Sequence, residues 1–267
     1  MRVVYGVNPV RELLRAGGQG VAEVWLAEGG RSAEELERLA RGAGAKVRGA
    51  PRAKLDQLAG TDRHQGAVAV VAEYRYHDLQ ELLSVARARS EAPLLVVLDQ
   101  IEDPQNLGAV IRSAHALGAH GVVIPRDRAA GVTPAAAKAS AGAVEHCLVS
   151  RVTNVAQTLE ELKGEGVWSF ATDASGEAEL DQVDLTGPVA LVIGSEGHGV
   201  RPLVRKTADQ VVRIPMAGKV GSLNASAAAA ICLYEVMRQR RRAAAGQSGG
   251  AGGRRPGMRG TRGESPA

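Results

Sequence analysis

Strand-like and helix-like stretches take turns with a regularity that leaves few folds open to residues 93–242. The run LLVVLD (94–99) is apolar almost throughout, the mark of a strand covered on both faces. It is followed by a helical pattern over 106–117 and by the strand GVVIP (121–125). Thr133-Pro134 then opens another helix, and CLVSRV (147–152) reads as a strand. After a helix in TNVAQTLEELKGEG come the strands VWSFATD (167–173), PVALVIG (188–194) and QVVRIP (210–215), and a last helix over 224–242. Such alternation predicts an α/β fold, a parallel sheet covered by helices. Ligands of such sheets sit at the carboxyl ends of the strands.

A smaller α/β unit precedes it over residues 1–75. Asn8 and Pro9 predict a helix over 9–16, VAEVWLA (21–27) a strand, and Ser32 with Glu35 a capping box for a second helix. A short strand AKVRG, a short helix over 52–59 and a strand GAVAVVAEY (66–74) follow. Residues 76–92 read as a linker with a short helix.

The chain is 45% hydrophobic but only 3% aromatic, so its cores must be built from Val, Leu, Ile and Ala. From Arg238 onward eight Arg and one Glu supply +7 of a net +4, which leaves the first 237 residues at −3. Residues 243–267 are rich in Gly and Arg and read as a disordered basic tail, either RNA-directed or merely solubilising. The two cysteines, Cys147 and Cys232, are far apart, which excludes a Cys-x-x-Cys motif and suits a reducing compartment. There is no signal-peptide pattern and no apolar stretch long enough for a membrane span. A cytoplasmic protein without membrane or metal is expected.

Three loops at strand ends carry unusual residues. In DPQNLGAVIRSAHALG, Asn106 stands where it can cap the helix, and Arg112 flanks its apolar stripe. In LVIGSEGHGV, glycines 194, 197 and 199 allow close backbone approach, and Glu196 is an acid within the turn. Their spacing is not the dinucleotide fingerprint, and none follows LLVVLD, which argues against a nicotinamide-dependent oxidoreductase. In IPMAGKVGSLNASAAAAICLYE, an irregular loop leads to Ser222 and Asn224, either of which can cap the last helix.

Taken together, and in this order, the three loops resemble the motifs of the SpoU family of RNA ribose 2′-O-methyltransferases, of the SPOUT superfamily. The N-terminal unit, with GVNPVRELL and HQGAVAVV, is similar to the substrate-binding domain of the bacterial 23S ribosomal RNA guanosine 2′-O-methyltransferases. The resemblance implies a SPOUT domain over 93–242 with a deep trefoil knot, S-adenosylmethionine (AdoMet) as cofactor, ribosomal RNA as partner, and a homodimer whose site draws on both subunits. It implies catalytic roles for Arg112, Asn106, Glu196, Ser222 and Asn224, and cofactor contacts from Gly194, Ile214, Leu223, Met216 and Ser222. Arg63, His64 and Gln65 are the RNA-contact candidates. Arginine is the family's catalytic residue, but a free guanidinium is neutral in only about one molecule in 10⁶ at pH 7. Orienting the hydroxyl and contacting phosphate is the role expected of Arg112. The rival expectations are a transfer RNA guanosine 2′-O-methyltransferase of the same family and a non-catalytic RNA-binding ribosome assembly factor.

Overall fold

The computed structural model describes residues 1–30, 32–219 and 221–248. The N-terminal unit begins with a strand that the local pattern does not announce, β1 (Arg2–Tyr5). It continues through α1 (Val7–Arg15), β2 (Val21–Ala27), α2 (Ala33–Gly42), β3 (Lys46–Ala50), α3 (Arg52–Ala59) and β4 (Ala67–Val71). The sheet order is β1-β4-β2-β3. Both β1 and β2 run antiparallel to β4, and β3 runs parallel to β2. Val4, Val24, Leu26 and Ala69 of the sheet pack on Leu13 and Leu36 of the helices.

Two expected caps are not made. Helix α1 starts at Val7 with Gly6 as its cap, and the Asn8 carboxamide instead accepts from Arg11 Nη1 at 2.6 Å. Ser32 precedes α2 but makes no side-chain cap bond. Glu35, its expected partner, is drawn to α1 by Arg11 and Arg15 at 3.0 and 3.1 Å. A charge-assisted bond between helices has displaced a local one.

Residues 76–92 do more than connect. Asp78 and Glu81 form a reciprocal capping box for α4 (Leu79–Arg89). Leu79, Leu82 and Leu83 are buried in the second core, so this segment belongs to the larger unit.

The larger unit runs β5 (Leu94–Asp99), α5 (Pro104–Ala116), β6 (Gly121–Pro125), α6 (Pro134–Ala139), β7 (Val149–Val152), α7 (Val155–Gly164), β8 (Trp168–Thr172), β9 (Ala178–Glu179), β10 (Val189–Gly194), α8 (Pro202–Thr207), β11 (Gln210–Arg213) and α9 (Ala225–Ser248). Its seven strands are ordered β7-β6-β5-β10-β8-β11-β9, and every pair is parallel. Alternate residues of β5 serve two cores: Leu94, Val96 and Leu98 meet α5, α6 and α9, while Leu95 and Val97 meet α4, α7 and α8. From β5 the chain turns to β6 and β7 on one side, then crosses to the other. The strand order therefore switches between β5 and β10, where a crevice opens at the carboxyl ends.

The helix after β5 starts two residues before the expected 106. Asp103 caps it by accepting from Gln105 N at 2.9 Å, with Pro104 in the first position. Asn106 is thereby released from capping. Thr133 caps α6 as expected. Helix α9 continues through Ser248, six residues into the segment read as tail, and residues 249–267 lie outside the described residues. Arg240 ties α9 to the foot of the sheet, donating to the carbonyls of Ala92 and Pro93 at 2.8 and 2.9 Å. The two units meet through Arg2, whose Nη2 donates to both oxygens of Glu145 (2.9 and 3.1 Å), and through Glu12 and His146.

Helix α5 is held against α6 by Gly108. A methyl group there would lie 2.4 Å from the Ala136 carbonyl oxygen and 2.5 Å from Ala139 Cβ. Gly108→Ala improves helix propensity by about 1 kcal/mol, but overpacking costs about 1–3 kcal/mol, and the obstructing backbone cannot rotate away. With the clash against rigid backbone placing the cost in the upper part of that range, urea unfolding of Gly108→Ala should show a net loss of about 1–2 kcal/mol. An unchanged or raised midpoint would contradict this packing.

Candidate active site

Three loops meet at the crevice between β5 and β10. The first follows β5 and brings Asn106 on the opening turn of α5. The second is the turn after β10, closed by Ser195 N to Gly199 O (3.1 Å) and Gly199 N to Ser195 O (2.9 Å), with Gly197 and Gly199 at φ 86° and 66°. The third leads from β11 to α9 and carries Ser222 and Asn224.

One carboxylate oxygen joins all three. Glu196 Oε1 accepts from Asn106 Nδ2 at 2.8 Å, from Asn224 Nδ2, and from Ala225 N at 3.4 Å. Asn224 Nδ2 also reaches Asn106 Oδ1 at 2.9 Å. The Asn224 side-chain oxygen Oδ1 meanwhile accepts from Ser226 N and Oγ at 2.9 and 2.6 Å, so Asn224 is the N-cap of α9 and Ser222 is not. Glu196 stands at the positive end of that helix, where a carboxylate is favoured.

Beside this node lies a cleft of about 350 Å³, within the usual range for small-molecule sites. All five residues expected to hold a cofactor, Gly194, Ile214, Met216, Ser222 and Leu223, line it together with Glu196. Asn106 does not; it lines a second hollow that adjoins the first at Ser195, Glu196 and His198. Arg112 lines neither. It is exposed on α5, and among the described residues it has no hydrogen bond or ion pair.

The RNA-contact candidates divide. His64 is buried: its Nε2 pairs with Asp56 Oδ1 at 2.9 Å and its Nδ1 accepts from Gly66 N at 3.0 Å. It holds a turn and is closed to RNA. Gln65 is exposed but spends its carbonyl oxygen on Val7 N at 3.2 Å, while Arg63 is exposed. Both cysteines are buried, and burial pushes each thiol up to about 12, so neither serves as a nucleophile.

Sequence reasoning missed the pair that fixes the glycine turn. Asp99, fully buried at the end of β5 and in register with Gly194, accepts from Arg201 N and Nε, both at 2.8 Å. The turn is thus anchored at Gly194 by the sheet and at Arg201 by a buried carboxylate. A lone acid closing an apolar strand was the available signal.

A model of the SpoU rRNA Methylase family matches residues 93–234. A model for RNA 2′-O ribose methyltransferase substrate binding matches residues 3–77. The chain belongs to the SpoU rRNA methylase family. It is 47% identical to the Putative TrmH family tRNA/rRNA methyltransferase YacO of Bacillus subtilis, over 89% of this chain and 95% of that protein. It is 41% identical to the 23S rRNA (guanosine-2′-O-)-methyltransferase RlmB of Shewanella oneidensis, over 89% of this chain and 97% of that protein. The crystal structure of the SpoU methyltransferase AviRb from Streptomyces viridochromogenes in complex with AdoMet superposes with a TM-score of 0.76 at 31% identity, over 90% of each chain. This SpoU chain is an AdoMet-dependent RNA 2′-O-methyltransferase.

The cleft fits that cofactor. Among the described residues, no hydrogen bond uses a backbone N–H or C=O between Ile214 and Leu223, so these groups are free to bind a ligand. Asp173 and Glu196 line the cleft and, among the described residues, no Lys or Arg does, which suits a sulfonium. Burial raises the Asp173 carboxyl, but bonds from Ser175 and the Arg205 guanidinium outweigh it and hold the group below the ordinary carboxylate range. Asp173 therefore stays charged.

Gly194 is the position least able to change. A methyl group there would lie 2.1 Å from the Gly199 carbonyl carbon and 2.2 Å from Val200 N. Gly194→Ala should displace the turn and weaken AdoMet binding by about tenfold or more by calorimetry, a loss of about 1.4 kcal/mol. Wild-type affinity in that variant would contradict the cleft's assignment.

Proposed function

We propose that this SpoU enzyme methylates the ribose 2′-hydroxyl of a guanosine in 23S ribosomal RNA, in the cytoplasm, as a homodimer and without a metal. The observation that carries the reading is the similarity to RlmB of Shewanella oneidensis, which runs through both the substrate-binding and the methylase regions. Transfer RNA is the second reading, favoured by the tRNA/rRNA description of YacO. Among the described residues no helix is long and apolar enough to cross a membrane.

When bound, AdoMet supplies a methyl group already activated on a sulfonium. The chain's own residues align the reactants and handle one proton. Gly194, Ser222 and the free backbone groups of Ile214, Met216 and Leu223 grip the cofactor. Glu196 holds the carboxamides of Asn106 and Asn224 in one orientation at the border of the cleft. Arg112 lies outside both hollows, so the second subunit brings its own copy to complete the site. Exposed Ile231 and Tyr234 on α9 supply apolar surface for that association. There the guanidinium contacts a phosphate and orients the 2′-hydroxyl, whose proton passes to a phosphate oxygen. The trefoil knot belongs to the same reading: the chain after β11 returns to the turn after β10, which puts α9 against α5 and β10.

The test is incubation with methyl-labelled AdoMet and separated 23S, 16S and transfer RNA. Wild-type protein should label a guanosine ribose of 23S RNA. Arg112→Ala should label nothing while AdoMet still binds. Label confined to transfer RNA would overturn the ribosomal assignment, and full activity of Arg112→Ala would overturn the role of that arginine.

A further inference from the structure

The second hollow, about 490 Å³, is a built feature with no role in the account so far. Its floor is Ile101, which is buried. The Ile101 carbonyl accepts from Ala130 N at 2.8 Å, and this bond locks the loop carrying Arg128 to the loop carrying Glu102. Both of those side chains are exposed and line the hollow, and within the described residues neither has a hydrogen bond or an ion pair. The other carboxylates of the lining are engaged: Asp103 caps α5, and Glu196 holds the two asparagines. The hollow adjoins the cofactor cleft at Ser195, Glu196 and His198, so a group seated in it lies beside that cleft.

We propose that this hollow receives the base of the target nucleotide and reads it as guanine through Glu102 and Arg128. The inference rests on the reading of guanosine as the target. Three carboxylates and one guanidinium line the hollow, a balance that repels a phosphate and welcomes a neutral group rich in donors. Guanine presents N1–H and the 2-amino group side by side, matching the two oxygens of a carboxylate, while its O6 and N7 match a guanidinium fork. Adenine and cytosine place an acceptor where guanine has N1–H, and uracil offers a single donor. Sequence-specific RNA readers bind unstacked bases by these edges. Glu102 and Arg128 are thus specificity residues, set beside the machinery that moves the methyl group.

The experiment uses the full chain and whichever RNA the wild-type enzyme methylates. Synthetic substrates carry guanosine, inosine (which lacks the 2-amino group) or adenosine at the methylated position. Wild-type kcat/KM should fall about ten- to a hundredfold from guanosine to inosine, and further to adenosine. Glu102→Gln should lose most of the preference for guanosine over inosine, with AdoMet affinity unchanged. Glu102→Asp should regain part of the preference. Arg128→Ala should raise KM for the RNA and leave AdoMet affinity unchanged. The proposal is overturned if Glu102→Gln keeps the wild-type ratio, or if the methylated ribose carries a base other than guanine. Methylation of a guanosine in transfer RNA would remove the ribosomal assignment, and the same comparison on that RNA would still decide this one.

Discussion

Glu196 Oε1, on the turn after β10, accepts from two other stretches of chain: Asn106 at the start of α5, and Asn224 with Ala225 at the start of α9. The helix starts are capped, but the loops that lead to them have few bonds of their own. The turn carrying Glu196 has two internal backbone bonds, and the segment from Ile214 to Leu223 has none among the described residues. Their mutual arrangement therefore depends on the carboxylate. Charge-assisted bonds are the stronger kind, and the positive end of α9 adds to them. The same oxygen sets the border between the cofactor cleft and the second hollow.

The sheet makes this possible by fixing the ends of each loop. Gly194 and Asp99 are in register on β10 and β5, and the Asp99 carboxylate grips Arg201 just beyond the turn. A buried carboxylate left without its partner is costly, so this pair holds the turn closed. The backbone of the third loop stays unpaired, as a cofactor held through main-chain groups requires. Order in the frame and free hydrogen-bonding groups in the loops are two halves of one arrangement.

Much of this was legible in the sequence. LLVVLD and PVALVIG fixed the central strands to within a residue, since continuous burial writes an unbroken apolar run. The three loops stood out by composition, and Asn106, Glu196 and Asn224 do converge. What escaped notice depends on distant partners. Strand β1 is four residues long and finds its ladder on β4, far along the chain. His64 read as an RNA contact, and only Asp56 and the Gly66 amide reveal it as a buried brace. Asn106 resembled a cap because Asp103 and Pro104, which start the helix, read equally well as a turn. Glu102 and Arg128 come from loops after different strands, and no local pattern joins them.

The claim that Glu196 organises the site is tested most directly by single-turnover methyl transfer in Glu196→Ala, with AdoMet affinity measured on the same preparation. The account predicts a rate at least about a hundredfold lower, equivalent to about 2.7 kcal/mol, with AdoMet affinity falling by less than about tenfold. A transfer rate within a fewfold of wild type in a folded Glu196→Ala protein would contradict it.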